Sequence, residues 1–246
     1  MMPLLIAAFF VTALLYASVG FGGGSTYSAL LALSGMDYRI LPILSLCCNI
    51  VVVLGSTIRF ARAGVIPWRR AGLLTAVAAP AALLGGLTPI DEGAFLTLLG
   101  ASLVFTAGTM LVRVKESVEG QESPLARLAP LAAAPLGYLA GIVGIGGGIF
   151  LAPLLHLLRW ESPRAIAATA SLFILVNSLF GLAGQVLKGG EGRLVAAIDY
   201  GLPLVVAVAI GGQIGSWIAL NRLPQSWIRI GTAGLVLWVG VRLLTA

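Results

Sequence analysis

Val19-Gly20-Phe21-Gly22-Gly23-Gly24 governs the reading of this chain, because Val143-Gly144-Ile145-Gly146-Gly147-Gly148 nearly repeats it. The copies stand 124 positions apart in a chain of 246 residues. Each sits in a long uncharged apolar run, 1–36 for the first and 128–158 for the second. Glycine weakens a helix interior by about 0.8–1.0 kcal/mol per residue relative to alanine. Glycine clusters at matched places in two hydrophobic runs therefore predict two helices broken at membrane depth, the usual sequence pointer to a transporter binding site.

The composition sets the solvent. Hydrophobic residues make up 59% of the chain and charged residues 10%, whereas a soluble domain carries about 25% charged residues. Mean hydropathy is +1.04. Segments 40–58, 71–90, 93–112, 165–187 and 200–221 contain no charge. Each has roughly the ~20 residues needed to cross ~30 Å of hydrocarbon. Segment 226–244 carries Arg229 and Arg242 near its ends, where long side chains snorkel to the interface. The alternating ten-residue segments of a β-barrel are absent. The net charge of +6 fits cytoplasmic loops of a membrane protein. No basic cluster is interleaved with aromatics, so the expected partner is a lipid bilayer and not nucleic acid. Cys47 and Cys48 are adjacent in an apolar run and point in different directions on a helix, which argues against a disulfide or metal site. The first charge is Asp37, so the N-terminal run lacks the basic region of a signal peptide and is read as retained.

The expected fold is an all-α polytopic membrane protein built from two homologous halves. The first repeat covers 1–112, a polar cytoplasmic linker 113–127, and the second repeat 128–246. In the first, a helix over 3–19 meets the glycine break. A piece over 25–36 follows, too short to span, and then helices near 40–58, 71–87 and 94–112. The second repeats this order as 129–143, the break, 149–158, and helices near 165–187, 194–219 and 226–244. Ser45 and Asn49 find loose counterparts in Ser171 and Asn177. Gly137-xxx-Gly141 and the Gly211, Gly212, Gly215 cluster suit close helix packing, and Pro42, Pro80, Pro135 and Pro203 fall within spans.

Topology turns on the broken elements. As hairpins they give each half three crossings and make the halves inverted repeats; as interrupted crossings they make the halves parallel. The loop 59–70 holds four arginines and is placed in the cytoplasm. Inversion then puts eleven of fifteen basic residues inside, against ten for the parallel arrangement. The count leans toward inversion, with both termini outside.

A short helix beginning at Ser25 or Ile149 presents unpaired backbone N–H groups and about half a positive charge from its aligned peptides. Glycines ahead of it admit positive φ and close approach of a ligand. Two such ends near the midplane make an anion seat without a lysine or arginine, whose charge there costs at least ~2.5–3.5 kcal/mol. The candidate substrate-binding residues are Gly22, Gly23, Gly24, Ser25, Asn49, Gly146, Gly147, Gly148, Ile149 and Asn177. Ser45 and Ser171 are further neutral donors. Close packing is the competing explanation for the glycines, as an interhelical hydrogen bond is for Asn49 and Asn177. Gly20-x-Gly22 and Gly144-x-Gly146 follow helices and lack the acidic partner of a dinucleotide site. His156, the single histidine, cannot build a metal cluster, and Asp199 is the one carboxylate near a span interior. No catalytic dyad is present, and no cofactor is implied.

With these motifs in view, the chain resembles the TauE/SafE-type sulfite exporter family, also called the toluene sulfonate uptake permease family. The resemblance covers nearly the whole chain. It is most specific in Gly144-Ile145-Gly146-Gly147-Gly148-Ile149-Phe150-Leu151-Ala152-Pro153, and extends to Gly211-Gly212-Gln213-Ile214-Gly215 and Asn221-Arg222-Leu223-Pro224. The first copy departs from the second in carrying Ala29 where the second has Pro153. The resemblance implies a transporter of sulfite, organosulfonates or related sulfur oxyanions in the cell membrane. The span interiors hold no acidic pair or histidine chain of the kind proton relays use, so export or facilitated diffusion is expected. Alternatives are a carboxylate transporter or anion channel, proton-coupled uptake, an intramembrane enzyme, or a structural subunit. A homo-oligomer is left open.

Overall fold

The computed structural model describes residues 2–19, 22–111, 123–218 and 225–245. All regular structure among them is helical. The order is α1 (Met2–Val19), α2 (Gly24–Leu33), α3 (Leu41–Arg62), α4 (Trp68–Leu87), α5 (Glu92–Leu111), a 3₁₀ turn (Pro124–Leu128), α6 (Ala129–Val143), α7 (Gly148–Leu157), α8 (Pro163–Ile218) and α9 (Gln225–Thr245). Among the described residues, six stretches are long and apolar enough to cross a membrane: Leu41–Arg62, Trp68–Leu87, Glu92–Thr109, Pro124–Val143, Pro163–Gly189 and Gly192–Gly215. Both glycine motifs break their helices as expected, and the short pieces α2 and α7 have ten residues each. Most of the expected linker, 113–122, and the 221–224 motif lie outside the described residues; Ser123 opens the 3₁₀ turn by accepting from the Leu125 N–H.

One expectation is corrected. The helices expected at 165–187 and 194–219 form one helical element, α8, of 56 residues. It cannot be straight. Leu46 of α3 lies beside Gly181 and Leu44 lies beside Gly201, yet twenty residues of straight helix span about 30 Å. The element folds back between its two apolar stretches, at Lys188-Gly189-Gly190-Glu191-Gly192, where a glycine pair permits a sharp kink. Two spans packed against α3 result, as the hydropathy pattern requires. Pro42 falls within a span, Leu41–Arg62, in the first turn of α3, where its missing N–H leaves no bond unmade.

Packing between elements runs through small residues. Lipid is as apolar as leucine, so helices associate through close van der Waals contact and not through exclusion of water. On α4 and α6, Gly137 abuts the Ala78 carbonyl and Gly141 abuts the Ala82 carbonyl, so these helices run in the same direction. The same seam recurs between α1 and the second arm of α8, where Gly211 meets the Phe10 carbonyl and Gly215 that of Leu14. Thus the first helix of each half packs parallel to the fourth helix of the other. α5 and α9 close the bundle in antiparallel fashion: Gly100 lies at Leu244, and Leu103 and Val104 lie at Gly240. Both expected glycine clusters are therefore packing seams.

The base of the second broken element is pinned. The Ser123 N–H donates to the Leu158 carbonyl at 3.2 Å, so α6 starts and α7 ends at the same end of the bundle. At that end Arg70 pairs with Glu161 at 2.9 Å, and its guanidinium lies 4.6 Å from the Trp160 ring centroid. Each partner is about a third exposed, so the pair contributes at most ~1 kcal/mol. It positions the loop more than it stabilises the fold.

The seam makes a direct prediction. Gly141→Val places a Cβ against the Ala82 backbone and the Gly86 nitrogen, and overpacking of this kind costs about 1–3 kcal/mol. The variant should unfold several degrees below the parent in detergent. Gly108→Ala, with open space at its Cβ position, should unfold at or above it.

Candidate functional site

The two breaks are built differently. At the second, Gly144, Gly146 and Gly147 take φ of +79°, +82° and +79°, a left-handed region that side chains with a Cβ rarely enter. At the first, Gly23 has φ −86°, and neither Gly22 nor Gly24 is left-handed. The expectation of positive φ holds at the second copy. In the first copy the described glycines, 22 to 24, serve close approach instead. A Cβ on Gly23 would strike the Tyr27 ring at 2.7 Å and Thr12 at 2.9 Å.

The short helices start at Gly24 and Gly148, one residue earlier than expected. Neither N-cap glycine supplies a side-chain acceptor. The first helical bond of α2 runs from the Tyr27 N–H to the Gly23 carbonyl at 2.8 Å, and in α7 Phe150 and Leu151 both donate to the Gly147 carbonyl at 3.1 Å. That geometry leaves the N–H groups of Gly24, Ser25, Thr26, Gly148 and Ile149 without intrahelical acceptors.

The breaks meet. Asn49, fully buried on α3, donates through Nδ2 to the Ile145 carbonyl at 3.0 Å. This bond ties the first half to the second break. The Cβ position of Gly24 abuts the same carbonyl, and that of Gly22 lies 2.7 Å from Asn49 Oδ1. The Cβ position of Gly146 lies 3.0 Å from Asn49 Nδ2 and 2.9 Å from Ser178 Oγ. Ile174 on the first arm of α8 touches Gly22, Gly146 and Gly148. Ser45 Oγ donates to the Gly24 carbonyl at 3.1 Å and accepts from Ser28 Oγ at 2.9 Å. Tyr16 Oη and Thr26 Oγ1 share a hydrogen bond of 3.0 Å, and the Phe9 and Tyr27 rings stack at 4.8 Å. The first hairpin is thereby locked across its own width.

Of the sequence-predicted residues, Gly22, Gly24, Asn49, Gly146 and Gly148 converge on one another through Asn49, Ile145 and Ile174. Ser25 is buried beside them in sequence, with Oγ unpartnered. Gly147 faces away, toward Phe173 and Ala140, and Ile149 packs on the hydrophobic core. Asn177 is fully buried with neither amide atom bonded. It is not the equivalent of Asn49. The neighbours of Gly22 are Asn49 and Val53 of its own half and Ile174 of the other; those of Gly146 are Ile174 and Ser178 of its own half and Asn49 of the other. The equivalences are therefore Asn49 with Ile174 and Val53 with Ser178, both at an offset of 125. Ile174 and Ser178 escaped the sequence reading, which matched amide to amide. One extra residue beyond the 124-residue glycine offset would have found them.

Four buried polar side chains at the breaks keep an atom without a partner: Ser25 Oγ, Tyr27 Oη, Asn49 Oδ1 and Ser178 Oγ. Buried polar groups are bonded in about 90% of cases or more, so these atoms mark a candidate site. A cavity of about 770 Å³ is lined by apolar residues of α1 and α8 including Pro3, Phe10 and Ile210, and offers an anion nothing. Asp199 is exposed on α8.

The chain is similar to known membrane transporters. The family model described as "Sulfite exporter TauE/SafE" matches residues 4–243. A Sinorhizobium fredii protein named "Probable membrane transporter protein y4hK" is 33% identical over 245 residues, 98% of this chain and 97% of its own length. An Arabidopsis thaliana protein named "Sulfite exporter TauE/SafE family protein 1" is 30% identical over 128 residues, 52% of this chain and 27% of its own. "Probable membrane transporter protein MJ0441" of Methanocaldococcus jannaschii is 24% identical over 99% of this chain and 96% of its own. No solved structure matches the chain. With the apolar helices, these relatives mark a multi-pass integral membrane transporter.

Two buried amides should respond oppositely to truncation. Asn49→Ala strips the Ile145 carbonyl of its donor, which costs about 1–3 kcal/mol, and should lower the unfolding temperature. Asn177→Leu removes two unbonded polar atoms and should leave that temperature unchanged or raise it. Thermal unfolding in detergent reads both.

Proposed function

We propose that this chain, which belongs to the sulfite exporter TauE/SafE family, exports a small sulfur oxyanion or organosulfonate through a seat between its broken elements. The observation carrying the reading is that two uncapped half-helix N-termini lie beside a shared buried amide, amid unpartnered polar atoms. Each N-terminus contributes about half a positive charge, and its free N–H groups suit the oxygens of a sulfite, sulfonate or carboxylate. Ser25 and Ser178 add hydroxyl donors. A seat of dipoles tolerates being empty between cycles, whereas a fixed charge at this depth costs at least ~2.5–3.5 kcal/mol.

The halves are read as inverted repeats. In support, the α6–α7 hairpin is closed at its base by the Ser123–Leu158 bond, at the end holding Arg70 and Glu161. α1 runs parallel to the second arm of α8, so its start belongs to the opposite end, where Lys188 reaches the carbonyl of Thr88. The positive-inside rule puts the arginine end in the cytoplasm, and both termini outside. An inside-negative potential favours outward anion movement by about 2.3 kcal/mol per charge per 100 mV, so export needs no coupling ion.

Organic anions form a second substrate class, favoured by a specific feature. Ile174 stands where Asn49 stands in the other half, so one wall of the seat is polar and the other aliphatic. An anion with a small apolar group matches both walls.

Three outcomes are expected. Ser25→Ala/Ser178→Ala removes two unbonded hydroxyls without loss of thermal stability. A hydrogen bond to a charged group contributes ~1.5–3 kcal/mol, so KM for sulfite or methanesulfonate counterflow should rise at least about tenfold; an unchanged KM rejects the seat. In proteoliposomes, an inside-negative potential should accelerate efflux, and accumulation against it under a proton gradient rejects export. An epitope at the C-terminus should be labelled from outside intact cells; labelling only after permeabilisation rejects inversion.

A further inference from the structure

A second polar cavity, of about 390 Å³, lies at the end of the bundle where α4 ends and α8 turns its corner. Its volume falls in the ~300–1,000 Å³ range of small-molecule sites. Among the described side chains, Arg39, Lys188 and Arg193 line it, and no carboxylate does.

The cations are positioned and underused. Arg39 Nε donates to Tyr38 Oη at 3.2 Å, its guanidinium lies 5.4 Å from the Tyr38 ring centroid, and Phe95 braces that ring at 5.9 Å. Lys188 Nζ donates to the Thr88 carbonyl at 3.1 Å, which occupies one of its three N–H donors. The nearby acids are engaged elsewhere. Asp37 Oδ1 accepts the Arg39 backbone N–H at 2.9 Å, and Asp91 Oδ1 accepts the Ala94 N–H at 2.9 Å. The fields of Asp37 and Glu92 reach Arg39, and among the described residues no carboxylate pairs with Lys188 or Arg193.

The cavity adjoins the second break. Pro42 lines it and also packs against Gly144, the first left-handed residue of that break. Gln185, 2% exposed, lines it as well. Its Nε2 donates to the Gly141 carbonyl at 2.9 Å and the Ile142 carbonyl at 3.2 Å. That cap covers the carbonyl end of α6, whose partial negative charge opposes an anion.

We infer that this cavity is a second anion site, a vestibule in which Arg39, Lys188 and Arg193 hold a sulfonate, sulfite or carboxylate group between solvent and the second break. The inference extends the proposed transport role, yet its ligand class follows from the cavity's own cations. Purified protein titrated with sulfite by calorimetry at low and high salt tests it. Lys188→Gln/Arg193→Gln should weaken the salt-sensitive binding about tenfold or more, and Arg39→Gln, at an exposed position, should weaken it severalfold. Ser25→Ala/Ser178→Ala should leave that component intact. Size-exclusion profiles matching the parent establish folding of each variant. Parent-like affinity in both Lys188→Gln/Arg193→Gln and Arg39→Gln overturns the vestibule, as does binding indifferent to salt. Counterflow lost in Ser25→Ala/Ser178→Ala, with the salt-sensitive binding retained, supports the vestibule as separate from the central seat. Vestibule binding that persists in protein showing no flux at all would fault the transport reading alone.

Discussion

In hydrocarbon, every backbone polar group freed by a break in a helix has to be satisfied within the protein, and the single bond from Asn49 Nδ2 to the Ile145 carbonyl shows how this bundle meets that demand. The bond links a full-length helix of one half to the interrupted segment of the other. Ser45 does the same for the Gly24 carbonyl within its own half, and Gln185 for the carbonyl end of α6. The carbonyls of Gly24, Gly141, Ile142 and Ile145 are thus covered by neutral side-chain donors. The N–H groups at the starts of α2 and α7 are not covered by side-chain caps. The imbalance leaves positive potential where the two segments meet, which is the physical basis for reading an anion seat there.

The glycines make that meeting feasible in two ways. Gly144, Gly146 and Gly147 turn the second break through left-handed conformations. Gly22 and Gly24 need no unusual φ, but any Cβ on them would collide with Asn49. Among the described residues, the second break uses glycine for backbone freedom as well as proximity, and the first for proximity. The two halves of the chain thus differ in chemistry at matching places and show reciprocal seams, α6 on α4 and α1 on the second arm of α8. A polar Asn49 opposite an aliphatic Ile174 is the sharpest instance.

Much of this was legible in the sequence. Uncharged runs of membrane length located the spans, and the repeated glycine motif located both breaks within a residue. What periodicity could not convey was the corner of α8, because Gly189-Gly190 reads as a loop between helices while its backbone stays helical. The partner of Asn49 was missed for a different reason. The second half carries one extra residue between its break and its next helix, so matching Asn49 to Asn177 by residue type set the register wrong by three. Ile174 itself gives no chemical signal in an apolar run. Its role follows only from three glycines touching it. The basic vestibule was equally hidden, since Arg39 and Arg193 are 154 positions apart and meet only because the bundle folds α8 back toward the start of α3.

The central claim is that an anion rests against the N-termini of α2 and α7. The most direct measurement is a structure in lipid with a heavy-atom anion, such as selenite or a brominated alkanesulfonate, located by its anomalous signal. The account predicts a peak within hydrogen-bonding distance of the N–H groups of residues 24–26 and 148–149, beside Asn49. A peak confined to other parts of the molecule, with the breaks packed shut against one another, would contradict it.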